Sequence, residues 1–247
     1  MNVEELYRLE DVKKAYSGRT ALRLPELTLE RRCLVGIHGP NGGGKSTLLR
    51  MLGLLEQPDK GSIRFLGRNA EPENLDLRRR IALLPQNPYL LRRSVLGNVL
   101  FGLKLRGESG AHDLAAQALE TVGLSYERFA HRKWRELSGG EARRVALAAR
   151  LALRPEALLL DEPVANLDPE SAALIRQASL RAVQRWGTAV VLVGHDVEWL
   201  RSVCERILYV EGGEIRDDSS WRSEIGGRRS EVEGQRSEIE GYVKRNG

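Results

Sequence analysis

The sequence predicts an α/β domain built on a largely parallel sheet, and three observations carry that expectation. Short, nearly continuous apolar runs alternate with helix-like segments from residue 1 to about 217, the pattern of strands covered on both faces. One such run enters a glycine-rich turn that leads straight into a helical pattern, as in a strand–loop–helix unit. A long helix-rich stretch, roughly 88–154, then interrupts the alternation and reads as a helical subdomain inserted between strands.

In chain order, 33–37 reads as the strand entering the turn and 46–55 as the helix leaving it. Within the insertion, 114–122 and 140–153 carry helical periodicity. Residues 157–160 and Ala189–Val193 are short apolar runs expected to form central strands. The last stretch, 218–247, differs in kind. Three copies of a seven-residue unit, beginning at Arg222, Arg229 and Arg236, each offer one apolar residue (Ile225, Val232, Ile239) and a glycine. A coiled coil needs two apolar seams per heptad, and each glycine weakens a helix by about 1 kcal/mol. The segment is therefore expected to be a low-complexity tail, disordered or a fraying helix, with a partner-binding role as the alternative.

Composition narrows the class. The 247 residues are 41% hydrophobic and 30% charged, enough apolar material for a substantial core. The longest stretch free of Asp, Glu, Lys and Arg runs only from 33 to 44, short of the roughly 20 apolar residues that span a bilayer. The first residues lack the basic-then-apolar pattern of a signal peptide, so a soluble cytosolic protein is expected. Cys33 and Cys204 lie far apart and outside any zinc-like spacing; both are expected to be small buried hydrophobes. The net charge of +5 arises partly from scattered basic pairs, among them Arg31 with Arg32 and Arg143 with Arg144. That reads as solvated surface rather than a nucleic-acid footprint.

Three motifs carry chemistry. Gly39-Pro40-Asn41-Gly42-Gly43-Gly44-Lys45-Ser46-Thr47 matches the phosphate-loop pattern between a strand and a helix. Its glycines let successive N–H groups turn inward around phosphate oxygens, and the following helix adds the positive end of its dipole. Lys45 supplies a full charge at the β- and γ-phosphates, and the Ser46 hydroxyl is placed to ligate Mg²⁺. Leu158-Leu-Leu-Asp161-Glu162-Pro163 ends an apolar strand in two carboxylates at the ligand-binding edge of an open sheet. Asp161 is expected to hold Mg²⁺ through its water shell, and Glu162 to orient or deprotonate the attacking water. Leu137-Ser138-Gly139-Gly140-Glu141 opens a helix, with Ser138 as N-cap and Glu141 completing a capping box. A serine hydroxyl and glycine N–H groups at such an end form a second phosphate-binding device.

With these motifs in place, the sequence resembles the ATP-binding subunit of ATP-binding-cassette (ABC) transporters over roughly residues 5–216. The resemblance implies a P-loop NTPase fold: a nucleotide-binding domain over 1–217, its helical subdomain at about 88–154, and the 218–247 tail without a counterpart. It implies ATP hydrolysis with Mg²⁺. Tyr16 matches the aromatic that stacks on adenine, and Gln86 the glutamine that reaches Mg²⁺ and the water. Asp168, in Asn166-Leu-Asp168, matches the loop that communicates across a dimer, and His195 the histidine at the γ-phosphate. His38, His112 and His131 match no functional position. Two departures are small: Glu141 stands where Gln is more frequent, and Val164 where Thr or Phe is common.

The implied assembly is a head-to-tail homodimer in which Lys45, Ser46 and Gln86 of one subunit grip the nucleotide. Ser138, Gly139 and Gly140 of the other cap it. Transmembrane permease subunits, docking near Gln86 and the segment 87–107, are the implied partners on the cytoplasmic face of the inner membrane, with a periplasmic solute-binding protein. That segment, with Tyr89-Leu-Leu-Arg-Arg at its start, resembles oxyanion importers, tungstate systems in particular. Metal-ion, amino-acid, lipid and drug transport are the alternatives. A cassette ATPase of nucleic-acid or ribosome machinery is the reading of another class, disfavoured by the absence of a long coiled-coil insertion or a second cassette.

Overall fold

The computed structural model describes residues 4–218. Its first elements are β1 (Glu5–Tyr16) and β2 (Arg19–Glu30), paired antiparallel through a two-residue turn at Ser17 and Gly18. Both turn residues have positive φ, 48° and 80°, the geometry of a tight hairpin whose twist matches its strands. With β4 (Lys60–Phe65) and β5 (Arg68–Asn69) they form a four-stranded antiparallel sheet in the order β2-β1-β4-β5.

The second sheet holds β3 (Leu34–His38), β6 (Ile81–Leu84), β7 (Ala157–Asp161), β8 (Ala189–Val193), β9 (Arg206–Glu211) and β10 (Glu214–Asp217). Its order is β10-β9-β3-β8-β7-β6, parallel throughout except for the β9–β10 hairpin at one edge. Alternate residues of each central strand serve two different cores. Leu158, Leu160, Val190 and Leu192 pack with the helices. Leu159, Val191 and Val193 pack with the antiparallel sheet and with α1 (Lys45–Leu52). Burial on both faces is why these strands read as unbroken apolar runs.

The expected α/β class is therefore correct, with the antiparallel sheet as an addition the apolar runs did not reveal. α1 is shorter than the periodicity over 46–55 predicts: Gly53 caps it, donating to the Leu49 carbonyl, and Leu54 turns away at φ 49°. A short helix α2 (Leu75–Arg78) precedes β6. The expected helical stretch contains α3 (Val95–Arg106), α4 (Ala111–Thr121), α5 (Tyr126–Phe129) and α6 (Gly139–Leu151). Ser94 caps α3 through the Gly97 N–H, and Gly107 closes it at φ 67°. α7 (Pro169–Trp186) and α8 (Val197–Val203) complete the helical layer.

The cysteine expectation holds in part. Cys204 is buried, whereas Cys33 is half-buried and its thiol donates to the Glu30 carbonyl at 2.9 Å. Burial pushes the Cys33 thiol up to about 12. The repeats of the expected tail lie outside the described residues.

Candidate nucleotide site

The sheet order gathers the candidate residues before any side chain is considered. Four adjacent strands, β3, β8, β7 and β6, deliver at their carboxyl ends Lys45, His195, the Asp161–Glu162 pair and Gln86, respectively. Ligands of open parallel sheets bind at that edge.

The loop from Gly39 to Gly44 owes its shape to its glycines. A β-carbon on Gly39 would fall 2.0 Å from the Val210 carbonyl oxygen, and one on Gly43 would fall 2.6 Å from the same atom. Only glycine lets the loop lie this close to β9. Gly44 is left-handed and no side chain caps the first N–H groups of α1, so the backbone there suits anion binding. Asn41 and Gly42 are exposed at the tip, whereas Thr47 faces inward. Lys45 is only 7% exposed, and its Nζ donates to the carbonyls of Gly39 and Pro40 at 2.8 and 2.9 Å. Burial lowers its pKa, opposed by the charges of Glu162 and Asp161.

Glu162 stands at the centre of the side-chain chemistry. Its Oε2 accepts from Gln86 Nε2 at 2.6 Å, and its Oε1 lies 3.0 Å from His195 Nε2. Asp161, one residue earlier, is half-buried; burial raises its pKa first, and the neighbouring Glu162 charge raises it further. Ser46 is exposed at the first turn of α1. Among the described residues no three His, Cys, Asp or Glu side chains cluster as a metal cage. One carboxylate and one hydroxyl beside a phosphate cradle fit a cation that completes its shell with phosphate oxygens and water.

Tyr16 is 39% exposed at the end of β1. Its hydroxyl donates to Glu56 at 2.5 Å. That bond ties the ring to the segment that follows α1.

A second cluster forms at the start of α6. The capping box is present: Ser138 Oγ accepts from the Glu141 N–H at 3.2 Å, and Glu141 Oε2 accepts from the Ser138 N–H at 2.8 Å. Gly139 faces open space, whereas a β-carbon on Gly140 would lie 2.7 Å from Ser171 Oγ and 3.7 Å from Asp168 Oδ2. Asp168 caps α7 through the Ser171 N–H at 2.8 Å. No hydrogen bond among the described residues joins this cluster to the loop 39–47. The phosphate-loop, carboxylate, glutamine and histidine positions thus converge, and among the described residues the serine-glycine device shares no hydrogen bond with that loop.

The family profile described as ABC transporter matches residues 22–165. The chain belongs to the ABC transporter family. It is an ATP-binding, ATP-hydrolysing cassette of that family. It is 34% identical to the tungstate uptake system ATP-binding protein of Peptoclostridium acidaminophilum, over 84% of this chain and 95% of that one. It is 38% identical to a methionine import ATP-binding protein of Mesorhizobium japonicum, over 86% of this chain but 60% of the relative's length. A solved dimeric bacterial ABC transporter cassette superposes with TM-score 0.77 at 32% identity, covering 86% of this chain and 98% of that one.

The structure adds three features to the sequence reading. Arg143 and Arg144, expected to be solvated surface, are half-buried on this cassette's α6 and bond to the segments that carry Glu162 and Asp168. His38, expected to be structural, bonds Asp218 at 3.1 Å beside the phosphate loop. Ser17 and Gly18 are a legible hairpin signal. For Arg143 no sequence signal exists, because its partners are main-chain carbonyls.

Proposed function

We propose that this chain is the ATP-hydrolysing subunit that powers solute import across a bacterial inner membrane, with an oxyanion of the tungstate class as cargo. The observation that carries the ATPase reading is the convergence of Lys45, Gln86, Asp161, Glu162 and His195 from four adjacent strands. Two things support the cargo. The tungstate-system relative is matched over 95% of its length, and the segment 87–107 resembles oxyanion importers. Methionine, phosphate and Fe(3+) import relatives, all 36% to 38% identical, define the competing cargoes.

In the proposed mechanism the β- and γ-phosphates of ATP lie against the 39–44 backbone and Lys45, with the adenine on Tyr16. Ser46, Asp161 and Gln86 would hold Mg²⁺, which would supply positive charge to neutralise the phosphate oxygens. Glu162 takes a proton from the attacking water as its oxygen bonds the γ-phosphorus. The bond from that phosphorus to the β–γ bridging oxygen breaks, leaving ADP and phosphate. Gln86 orients the water and Glu162, and His195 donates toward the γ-phosphate. Ser138, Gly139 and Gly140 of a second copy complete each site, with Asp168 at the subunit boundary. The dimeric assembly of the solved relative supports this.

Permease subunits are proposed to dock on the segment after Gln86. Tyr89 is 90% exposed there, and Phe101 and Leu105 are also exposed. No described helix is long and apolar enough to cross a membrane, consistent with a peripheral position on the cytoplasmic face. Reconstitution of the cassette with its permease in proteoliposomes tests the cargo. ATP turnover should rise with tungstate-loaded binding protein and not with methionine; the reverse preference would overturn the oxyanion reading.

A further inference from the structure

Arg143 lies on α6, five residues after Ser138, or about 7.5 Å along the helix axis. Its guanidinium Nη1 donates to the Ala165 carbonyl at 2.7 Å and to those of Glu162 and Pro163 at 3.4 Å each. Its Nη2 donates to the Gln86 carbonyl at 2.9 Å. Because Gln86 Nε2 also bonds Glu162 Oε2, the contacts close a ring: guanidinium, Gln86 main chain, Gln86 amide, Glu162 carboxylate, Glu162 main chain, guanidinium.

The turn it grips is strained. Glu162 has φ 46° and Asn166 φ 58°, left-handed values that a residue with a β-carbon keeps only where its surroundings hold it. The Glu162 N–H is anchored to β8 through the Val193 carbonyl at 2.8 Å. On the carbonyl side of the turn, Arg143 is the cation that binds three of the four carbonyls from 162 to 165. A planar fork reaches two segments at once, which a point-like ammonium does less well. Arg144 takes the other flank, donating to Ser171 Oγ at 2.8 Å.

We propose that Arg143 is a positioning residue for hydrolysis: it sets the Glu162 turn and the Gln86 segment in one register, and so links the position of the Ser138 end of α6 to the catalytic carboxylate of the same chain. The inference rests on Glu162 being the hydrolytic carboxylate. A rigid helix whose first turn meets the partner's nucleotide thereby reports that contact to its own site.

The test compares wild type with R143M, R143K, E162Q and the R143M/E162Q double variant, measuring kcat and KM for hydrolysis, labelled-ATP affinity and Tm. R143M should lose roughly 10- to 100-fold in kcat, the scale of a misplaced reacting group. Its ATP affinity should stay within about 2-fold of wild type, and R143K should recover part of the loss. If Arg143 acts through Glu162, the double variant hydrolyses no more slowly than E162Q, to within about 2-fold. Losses that multiply, or that track ATP affinity, would assign Arg143 to general folding and overturn the inference. So would wild-type turnover in R143M alongside an inactive E162Q. Wild-type turnover in E162Q would instead remove the reading of Glu162, and the inference with it. Should R143M fail to fold, R143K decides: reduced kcat at unchanged affinity supports the link, and unchanged kcat overturns it.

Discussion

Lys45 holds its ammonium among carbonyls and near two carboxylates in a pocket from which solvent is largely excluded. Charge-assisted bonds in such a place are the strong ones. Lys45→Ala should weaken ATP binding by roughly 10- to 100-fold or more, read by equilibrium titration with labelled ATP; unchanged affinity would show that the loop is not the nucleotide site. Asp161 gives the opposite kind of prediction, in stability. Its carboxyl is raised above the ordinary 3.8, mainly by burial and then by Glu162, so the folded state binds the proton more tightly than the unfolded one. Stability therefore falls as pH rises from the ordinary carboxylate value through the raised one. Asp161→Asn should melt higher than wild type at neutral pH, with the gap narrowing toward pH ~4; a gap that widens on acidification contradicts the account. The same variant should lose Mg²⁺-dependent ATP affinity, because stability and function oppose each other at such a site.

The elements show what a sequence can and cannot announce. β7 and β8 were legible because both faces are buried, and α6 because its capping box is local. The antiparallel sheet was not: charged residues on the exposed face of β1 and β2 interrupt the apolar run, although the alternation Tyr7, Leu9 and the Ser17–Gly18 turn were present. The phosphate loop, Asp161 and Glu162 could be read because their chemistry is written in consecutive residues. Gln86 and His195 required the family resemblance, since only strand order brings them to Glu162. Arg143 could not be read at all. The N-terminus of α6 also carries a prediction of its own. Ser138→Arg keeps the fold and monomeric ATP binding, because Ser138 is exposed and makes no bond to the phosphate loop. It should abolish ATP-dependent dimerisation, observed by sizing chromatography; a retained dimer would count against a cross-subunit role for this helix end.

At the scale of the whole molecule, the parallel sheet brings the candidate residues of four strands to one edge, while the helical layer carries the serine-glycine device at the start of α6. In the proposed function a single copy holds both halves of a site that two copies complete. Hydrolysis and dimerisation become linked properties, and the residue at which they separate is Glu162. Glu162→Gln preserves shape and much of the hydrogen bonding to Gln86 and His195 while removing charge and basicity. Turnover should fall by roughly 10²- to 10⁴-fold, as expected for loss of a general base, with ATP binding retained through Lys45 and the loop. Bound ATP then persists between two copies. In ATP the variant should elute as a dimer and the wild type as a monomer, measured on the same column alongside turnover. A variant that hydrolyses ATP near the wild-type rate, or one that is inactive yet elutes as a monomer in ATP, would contradict the account.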